Sequence, residues 1–483
     1  LILFDFLFIC KDREQIIKRL KLYLPFLLSL LIYLLFFLQG GMLHLLLKGS
    51  SGWRWSPWEN LLTQTNVIIQ YFKLLILPLP RWLNIDHDFR VSKSLFEYPT
   101  WISVSILLLL VILAISLIKK NRLVSFCIGW FFIVLIPTSS LIPIWDIMVE
   151  YRLYLPIFSY AFLLTLGLHY LHRLFIYPYP KRIRYALVLG VPILILAFYS
   201  YATIERNSIF KDDLILWSDA ARKSPYKTRP KINLIASYNR YGLYHQAIAT
   251  SWGVLKKEPL NHEIYTNLGV SYMFLGDYDK AVEEFEKSTQ LERSNPKAYN
   301  NLGVIYLEKK EFDRAIEAFR QTISLSPDHA EAYNNLAKAL AMKGLIDEAI
   351  KEEENAIRIG SPMAEYHFNL AKLYENKGLV IEAINEYKEA VKLDRRFFEA
   401  YYHLGMVCST MRNYGEAILA FEKAIGLNPK FGKAYFMLGI NYIRTGKKEK
   451  AIENLEKALP YATNEKDRNG IESVLIKLRS VPQ

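Results

Sequence analysis

Apolar and polar positions are arranged in two different ways along the chain, and the change comes near residue 204. Before it, apolar residues run together in blocks long enough, or nearly so, to cross a bilayer core. The blocks lie near 22–38, 101–118, 123–138, 153–171 and 185–203, and residues 1–10 read as the tail of another. Pro137 cuts the third block short. The chain opens on Leu1 in mid-run, which implies further membrane segments upstream. The segment 39–100 has a different texture. Trp53, Trp55 and Trp58 suit a membrane–water boundary. The stretch Leu61–Leu79 is apolar but carries Gln64, Asn66, Gln70 and Lys73 at roughly helical spacing. That pattern predicts a helix lying on the bilayer surface or dipping into it, stopped by Pro78 and Pro80.

Beyond a connector at 205–227 the blocks give way to a repeat. From Leu234, steps of 34 residues land on Leu268, Leu302, Leu336, Leu370, Leu404 and Leu438. The residue after each is Gly or Ala except after the first, where it is Ile235, and Ala stands thirteen positions after every one of the seven leucines. Self-similarity at this period marks a stack of supersecondary units. The recurring small residues predict two antiparallel helices per unit in close approach. Large slots fall on Tyr238, Tyr272, Tyr306 and Tyr374 in the first helix and on Phe285, Phe319, Tyr387 and Phe421 in the second. Cys408 takes a tyrosine slot and is expected in the core. Pro259, Pro327 and Pro429 end their units, since proline stops a helix. The array, seven units from 228 to 465, resembles the tetratricopeptide repeat, and residues 466–479 read as a capping helix with a polar outer side.

Charge separates the halves further. The net +13 invites a nucleic-acid reading, but residues 1–227 hold 24 Lys and Arg against 13 acids, whereas 228–483 hold 36 against 34. The excess belongs to the apolar half, and no nucleic-acid partner is expected. The linkers 11–21, 119–122 and 172–184 carry twelve Lys and Arg in 28 residues; 39–100 and 139–152 carry seven in 76. Dense basic linkers stay in the cytoplasm. This places 39–100, 139–152 and everything after about 204 on the other side, in a periplasm or lumen. Three cysteines without a C-x-x-C suggest no disulfide or metal site.

The residue before each repeat leucine faces the concave surface in repeats of this kind. Here the row is Asn233, Asn267, Asn301, Asn335 and Asn369, then His403 and Met437. An asparagine side chain offers an acceptor and two donors, so a row of them can pair with successive peptide groups of an extended chain. The same amides can instead bond to the adjacent repeat.

The stretch TSSLIPIWDIMVEYRLYLPIFSY (138–160) sets Asp146, Glu150 and Arg152 at the mouth of a span, where charge is costly unless paired or used. An ion pair pinning two helix ends is one use; an arginine fork holding a phosphate is another. The E-Y-R-L-Y-L-P run, the upstream ENLLTQ and P-L-P-R-W-L-N-I-D-H-D-F stretches and the C-terminal repeats, in that order, resemble multi-pass O-mannosyltransferases that combine transmembrane segments with tetratricopeptide repeats. The resemblance implies a lipid-linked sugar transferase with a polyprenyl-phosphate sugar donor; no metal site or other cofactor is identified in this sequence. It implies an acceptor polypeptide held by the repeats, with membrane lipid as the other partner. Arg152 would stabilise the leaving phosphate, with Arg81 and Arg90 behind it, beside Glu150, Asp146, Asp86, His87 and Asp88. The catalytic acids of that class lie in a first outer loop upstream of this sequence.

The expected fold is therefore all-α: a polytopic transmembrane domain (1–204), the connector, the solenoid and a capping helix with tail (466–483). The alternative to the enzyme is a non-enzymatic membrane-anchored scaffold that assembles envelope proteins through its repeats.

Overall fold

The computed structural model describes residues 56–135 except Pro80 and Asp88, 156–171, 180–480 except Thr463, and the isolated positions 7, 8, 14, 24, 148 and 173. Regular structure among the described residues is helical, with no strand. The chain divides into two compact units, Leu1–Gly242 and Leu243–Gln483.

The first unit contains α1 (Pro57–Ile76), α2 (Thr100–Leu117), α3 (Arg122–Leu135), α4 (Pro156–Leu171), α5 (Lys181–Ile209), α6 (Asp213–Lys223) and α7 (Arg229–Arg240). Helix α1 starts on a capping box: the Ser56 hydroxyl accepts from the Glu59 N–H while the Glu59 carboxylate accepts from the Ser56 N–H. Two orphan donors are thereby satisfied, and Pro57 fits the first turn, where its missing N–H costs nothing. Val67, Ile68, Tyr71, Leu74 and Leu75 bury one face of α1 against Phe131 and Leu135 of α3. Phe72 stacks on Phe131 at 4.3 Å. Four polar residues of α1, Asn60, Thr63, Gln64 and Asn66, are buried too, while Gln70 is half-buried and Lys73 exposed. Asn66 donates to the hydroxyls of Ser92 (3.0 Å) and Thr100 (3.1 Å), and Thr63 accepts from the Ser92 N–H. Helix α1 thus packs its apolar face and its Gln64 and Asn66 side chains into the unit and leaves Lys73 exposed.

Of the expected spans, one helix among the described residues is long and apolar enough to cross a membrane, α2. It is apolar all round, and Leu108, Leu109, Ile112 and Ile115 are exposed. Helices α3 and α4 are apolar but shorter. The block 185–203 lies inside the 29-residue α5, which opens on Lys181 and Arg182 and contains Pro192. The blocks at 1–10 and 22–38 lie outside the described residues, apart from Leu7, Phe8 and Leu24. The polytopic expectation is therefore reduced, on the described residues, to a single helix both long and apolar enough to span.

The second unit begins with α8 (Tyr244–Leu255) and continues as six helix pairs: α9 (His262–Phe274) with α10 (Tyr278–Leu291), α11 (Pro296–Glu308) with α12 (Phe312–Leu325), α13 (Ala330–Met342) with α14 (Ile346–Ile359), α15 (Ala364–Lys377) with α16 (Val380–Leu393), α17 (Phe398–Thr410) with α18 (Tyr414–Leu427), and α19 (Gly432–Arg444) with α20 (Lys448–Ala458). Helix α21 (Glu465–Ser480) closes the series by burying Ile471 and Leu475 against Leu455 and Ala458.

Each pair is held by a small residue facing a large one. A β-carbon added to Gly303 would fall 2.5 Å from the Phe319 ring; the corresponding approaches are 2.7 Å for Gly269 on Phe285 and 2.8 Å for Gly405 on Phe421. All three rings are fully buried, as are Tyr387 and Leu455 in the same slot of their pairs. The slot in α14 holds Glu353 instead, equally buried. Cys408 is buried as its spacing predicts, and burial pushes its thiol up to about 11. The turn inside each unit has one residue of positive φ, again every 34 positions: Gly242, Gly276, Lys310, Gly344, Gly378, Arg412 and Gly446. Glycine adopts that conformation freely.

Phe319→Ala removes the ring from the interlock and is expected to destabilise the solenoid by about 3–5 kcal/mol. Truncating the exposed Leu419 to Ala is expected to change little. Urea unfolding of the full chain, followed by helical circular dichroism, checks the contrast.

Candidate functional site

Two groups of polar residues are candidates for function. In the first unit, the stretch 81–92 carries the described members of the candidate donor site. Asp86 and His87 are buried. The Asp86 carboxylate is ion-paired with Lys227, and its carbonyl accepts from Asn84 Nδ2 (3.0 Å) and Ser224 Oγ (2.5 Å). Asn84 Nδ2 also donates to Ser224 Oγ (2.8 Å), and Lys223 Nζ donates to the Leu83 carbonyl (2.8 Å). Lys223 shares Asp219 (2.6 Å) with Arg222 (3.0 Å) and Arg206 (3.7 Å). The stretch is thus fastened to the end of α6 and the residues after it by charge-assisted and neutral bonds. Asp86 meets a structural cation rather than a free aqueous face. Arg81 is exposed, with its guanidinium 5.1 Å from the Trp82 ring centre, and the exposed Arg90 pairs with Glu97 at 3.3 Å. Asp88, Asp146, Glu150 and Arg152 lie outside the described residues. Among the described residues no group of three or more His, Cys, Asp or Glu is placed to hold a metal ion.

In the second unit, the row before the repeat leucines is half-buried throughout. Asn335 Nδ2 donates to Asn300 Oδ1 (3.4 Å) and Asn369 Nδ2 to Asn334 Oδ1 (2.8 Å), each time reaching the preceding repeat. Asn267 turns back to its own helix, donating to the Glu263 carbonyl (3.0 Å). Asn301 makes no hydrogen bond through its amide within the unit, and Asn233, in α7, belongs to the first unit. The amides therefore stitch repeats together, and each of those spent this way still has an oxygen for a partner. His403 continues the row in a box of rings: Tyr387 stacks at 5.7 Å, Phe368 and Tyr402 meet it edge-on at 5.5 and 5.4 Å, and Glu375 Oε2 lies 3.6 Å from Nδ1. The nearby His403 ring and a hydrogen bond from the Tyr387 hydroxyl (2.7 Å) lower the Glu375 carboxyl from its ordinary value.

The position just before the row carries a signal that row-by-row reading overlooks. It changes from Thr266, Asn300 and Asn334 to Phe368, Tyr402 and Phe436. The surface passes from amides to aromatics along the array. It ends in a cleft of about 430 Å³ between α19 and α21, lined by Tyr402, Phe436, Met437, Tyr461, Lys433 and Lys466 among others. Charge follows the same axis: residues 262–397 hold 24 acids against 18 bases, and residues 432–480 hold ten bases against six acids. A partner lying along the row would meet opposite fields at its two ends.

Models described as tetratricopeptide repeat match residues 296–329, 318–351, 364–397, 398–431 and 432–462, and one described as TPR repeat matches 271–310. The C-terminal half carries multiple tetratricopeptide repeats. No curated protein matches the chain. Among solved structures, MamA is 29% identical over 33% of this chain and 94% of its own, with a TM-score of 0.32. YrrB, titled a TPR protein with an unusual peptide-binding site, is 22% identical over 40% and 99%, with a TM-score of 0.36. PilF of Pseudomonas aeruginosa is 14% identical over 44% and 97%, with a TM-score of 0.40.

Lys227→Met leaves the buried Asp86 carboxylate without its cation and is expected to cost about 1–3 kcal/mol. The freed stretch should then be cut by trypsin after Arg81 and Arg90 at least about tenfold faster. Limited proteolysis of the full chain, with Asp86→Asn/Lys227→Met as the double variant that relieves the unpaired charge, measures it.

Proposed function

We propose, from the multiple tetratricopeptide repeats that the C-terminal half carries, that the protein is a membrane-anchored scaffold. In this reading the array 228–465, capped by 466–483, holds an extended segment of a partner polypeptide. The observation that carries the reading is the row itself, half-buried amides leading into an aromatic cleft. Amide oxygens suit peptide N–H groups, and a cleft with Tyr402, Phe436 and Met437 suits an apolar anchor side chain, the usual centre of binding energy. The charge reversal along the array favours a partner segment that is basic toward the middle repeats and acidic toward the cap.

The anchor reading rests on α2, whose exposed leucines and isoleucines have hydrocarbon as their natural solvent, and on the apolar blocks around it. The basic linkers support a multi-pass arrangement that leaves the repeats outside the cytoplasm. Protease added to intact cells should then remove a C-terminal tag, and a fully protected tag rejects that placement.

Transfer of a sugar from a polyprenyl-phosphate donor is the second reading. The ordered membrane motifs favour it, with Arg152 as the phosphate-holding residue. Loss of sugar transfer in an inserted Arg152→Ala protein supports it, and undiminished turnover removes it.

A photo-crosslinking residue placed at Asn301 or Met437 is expected to join a partner polypeptide in cells, whereas the same residue at the exposed Ile381 is not. Filling the cleft with Gly470→Trp should reduce the yield from position 437 at least about tenfold. Equal yields from all three positions overturn the docking reading.

A further inference from the structure

The short loop between Ser92 and Thr100 holds its most apolar side chains outward. Phe96 is 84% exposed and Tyr98 78%, and Leu95 and Trp101 are exposed beside them. A large aromatic ring left in water forgoes the burial that makes such rings strong contributors to a core. A slack loop would fold its rings down, but this one is held at its base. Thr100 Oγ1 donates to Ser92 Oγ at 2.9 Å, and Asn66 of α1 donates to both hydroxyls, so a buried polar junction closes the loop.

Between those ends Glu97 folds back over the loop. Its carboxylate accepts from the Lys93 N–H at 3.0 Å and pairs with Arg90 at 3.3 Å, and its carbonyl accepts from the Thr100 N–H at 2.7 Å. Ser94 serves two more donors: its carbonyl accepts from the Glu97 N–H and its hydroxyl from the Phe96 N–H, each at 3.3 Å. The N–H groups of Lys93, Phe96, Glu97 and Thr100 are thus satisfied within the loop, and its one carboxylate has a cation. Backbone groups must be satisfied in this way before a segment can leave bulk water.

What the loop leads into says what covers its rings. Helix α2 begins at Thr100, and an exposed stripe runs along it through Trp101, Ser105, Leu108, Ile112 and Ile115 at helical spacing. The exposed hydroxyls of α2 are turned inward to its own backbone: Ser105 donates to the Trp101 carbonyl at 2.8 Å and Ser116 to the Leu113 carbonyl at 2.9 Å. The stripe therefore asks no hydrogen bond of its surroundings. The two ends of α2 differ. Exposed Lys119, Lys120 and Arg122 follow its last turn, whereas Phe96, Tyr98 and Trp101 stand at its first. Aromatic rings collect at the headgroup level of a bilayer, and lysine-rich ends stay in the cytoplasm. One medium, hydrocarbon grading into headgroups, covers the stripe and the rings without a break at Trp101.

We propose that residues 93–101 form a membrane-docking loop, in which Phe96 and Tyr98 enter the headgroup layer of a phospholipid bilayer beside the start of α2 and fix the depth at which that helix sits. The inference rests on the anchor reading above and adds to it a lipid-binding surface outside the helix itself.

The full chain is reconstituted in vesicles of phosphatidylcholine and phosphatidylglycerol with a photo-crosslinking residue at Phe96, Leu109 or Ile381, one position per protein, and adducts are read by mass spectrometry. All three side chains are exposed, so none of the replacements disturbs packing. Positions 96 and 109 are expected to give lipid adducts at least about tenfold above position 381. Lipid adducts from 109 without any from 96, or a polypeptide joined at 96 in place of lipid, overturn the docking loop and leave the anchor standing. Absence of lipid adducts from both 96 and 109 removes the anchor reading and the loop with it. Adducts from 96 alone keep the loop and reject the crossing by α2.

Discussion

The solenoid depends on one contact made over and over: an aromatic ring on the second helix of a pair pressed against the bare backbone of the first. Gly269, Gly303 and Gly405 admit the rings of Phe285, Phe319 and Phe421 to distances no β-carbon would allow. Close approach of the two helices lets the ring be fully buried, and burial of a large aromatic is among the strongest single contributions a core can make. Three of the six pairs use this glycine-on-ring interlock and the others vary it with Glu353, Tyr387 or Leu455 in the same slot, so each presents similar faces to its neighbours. The row of concave side chains is a by-product of that regularity: positions one residue before a buried leucine are carried round at constant spacing.

This explains why the C-terminal half was legible in the sequence. The steric requirement recurs every 34 residues, so the leucines, small residues and alanines mark it without any alignment. The same reasoning fails where meaning lies in what is paired rather than in what is spaced. Asp86 looks like an outer carboxylate beside His87, but its cation, Lys227, comes from 141 residues along the chain, and no local pattern announces it. The row asparagines have the right identity for peptide binding, yet Asn335 and Asn369 spend one donor each on the preceding repeat through Asn300 and Asn334, buried residues one position off the row. Glu353 was visible as a departure from an aromatic slot, but only counting along the second helix of every unit reveals it.

In the N-terminal half, sequence hydropathy overstated what the helices supply. The apolar blocks are real, but among the described residues only α2 is long and apolar enough to cross a membrane, so apolar composition alone did not fix the number of crossings. Helix α1 shows a related effect. Its amides suggested a polar edge at a membrane surface; Asn66 instead bonds to Ser92 and Thr100, which ties α1 to the start of α2. A buried amide nitrogen bonded to two hydroxyls fixes one relative placement of its helices, since any slip leaves those donors stranded.

The turns inside the repeats are not equivalent. Five of the seven left-handed positions are glycine, but Lys310 and Arg412 hold φ near +60° with a full side chain. An L residue in that conformation carries a penalty on the order of 1 kcal/mol. In a stack where each unit touches only its neighbours, such a penalty stays local instead of being averaged over the whole. The third and sixth units therefore each carry a local strain that a glycine at Lys310 or Arg412 would relieve, without any change to the helices on either side.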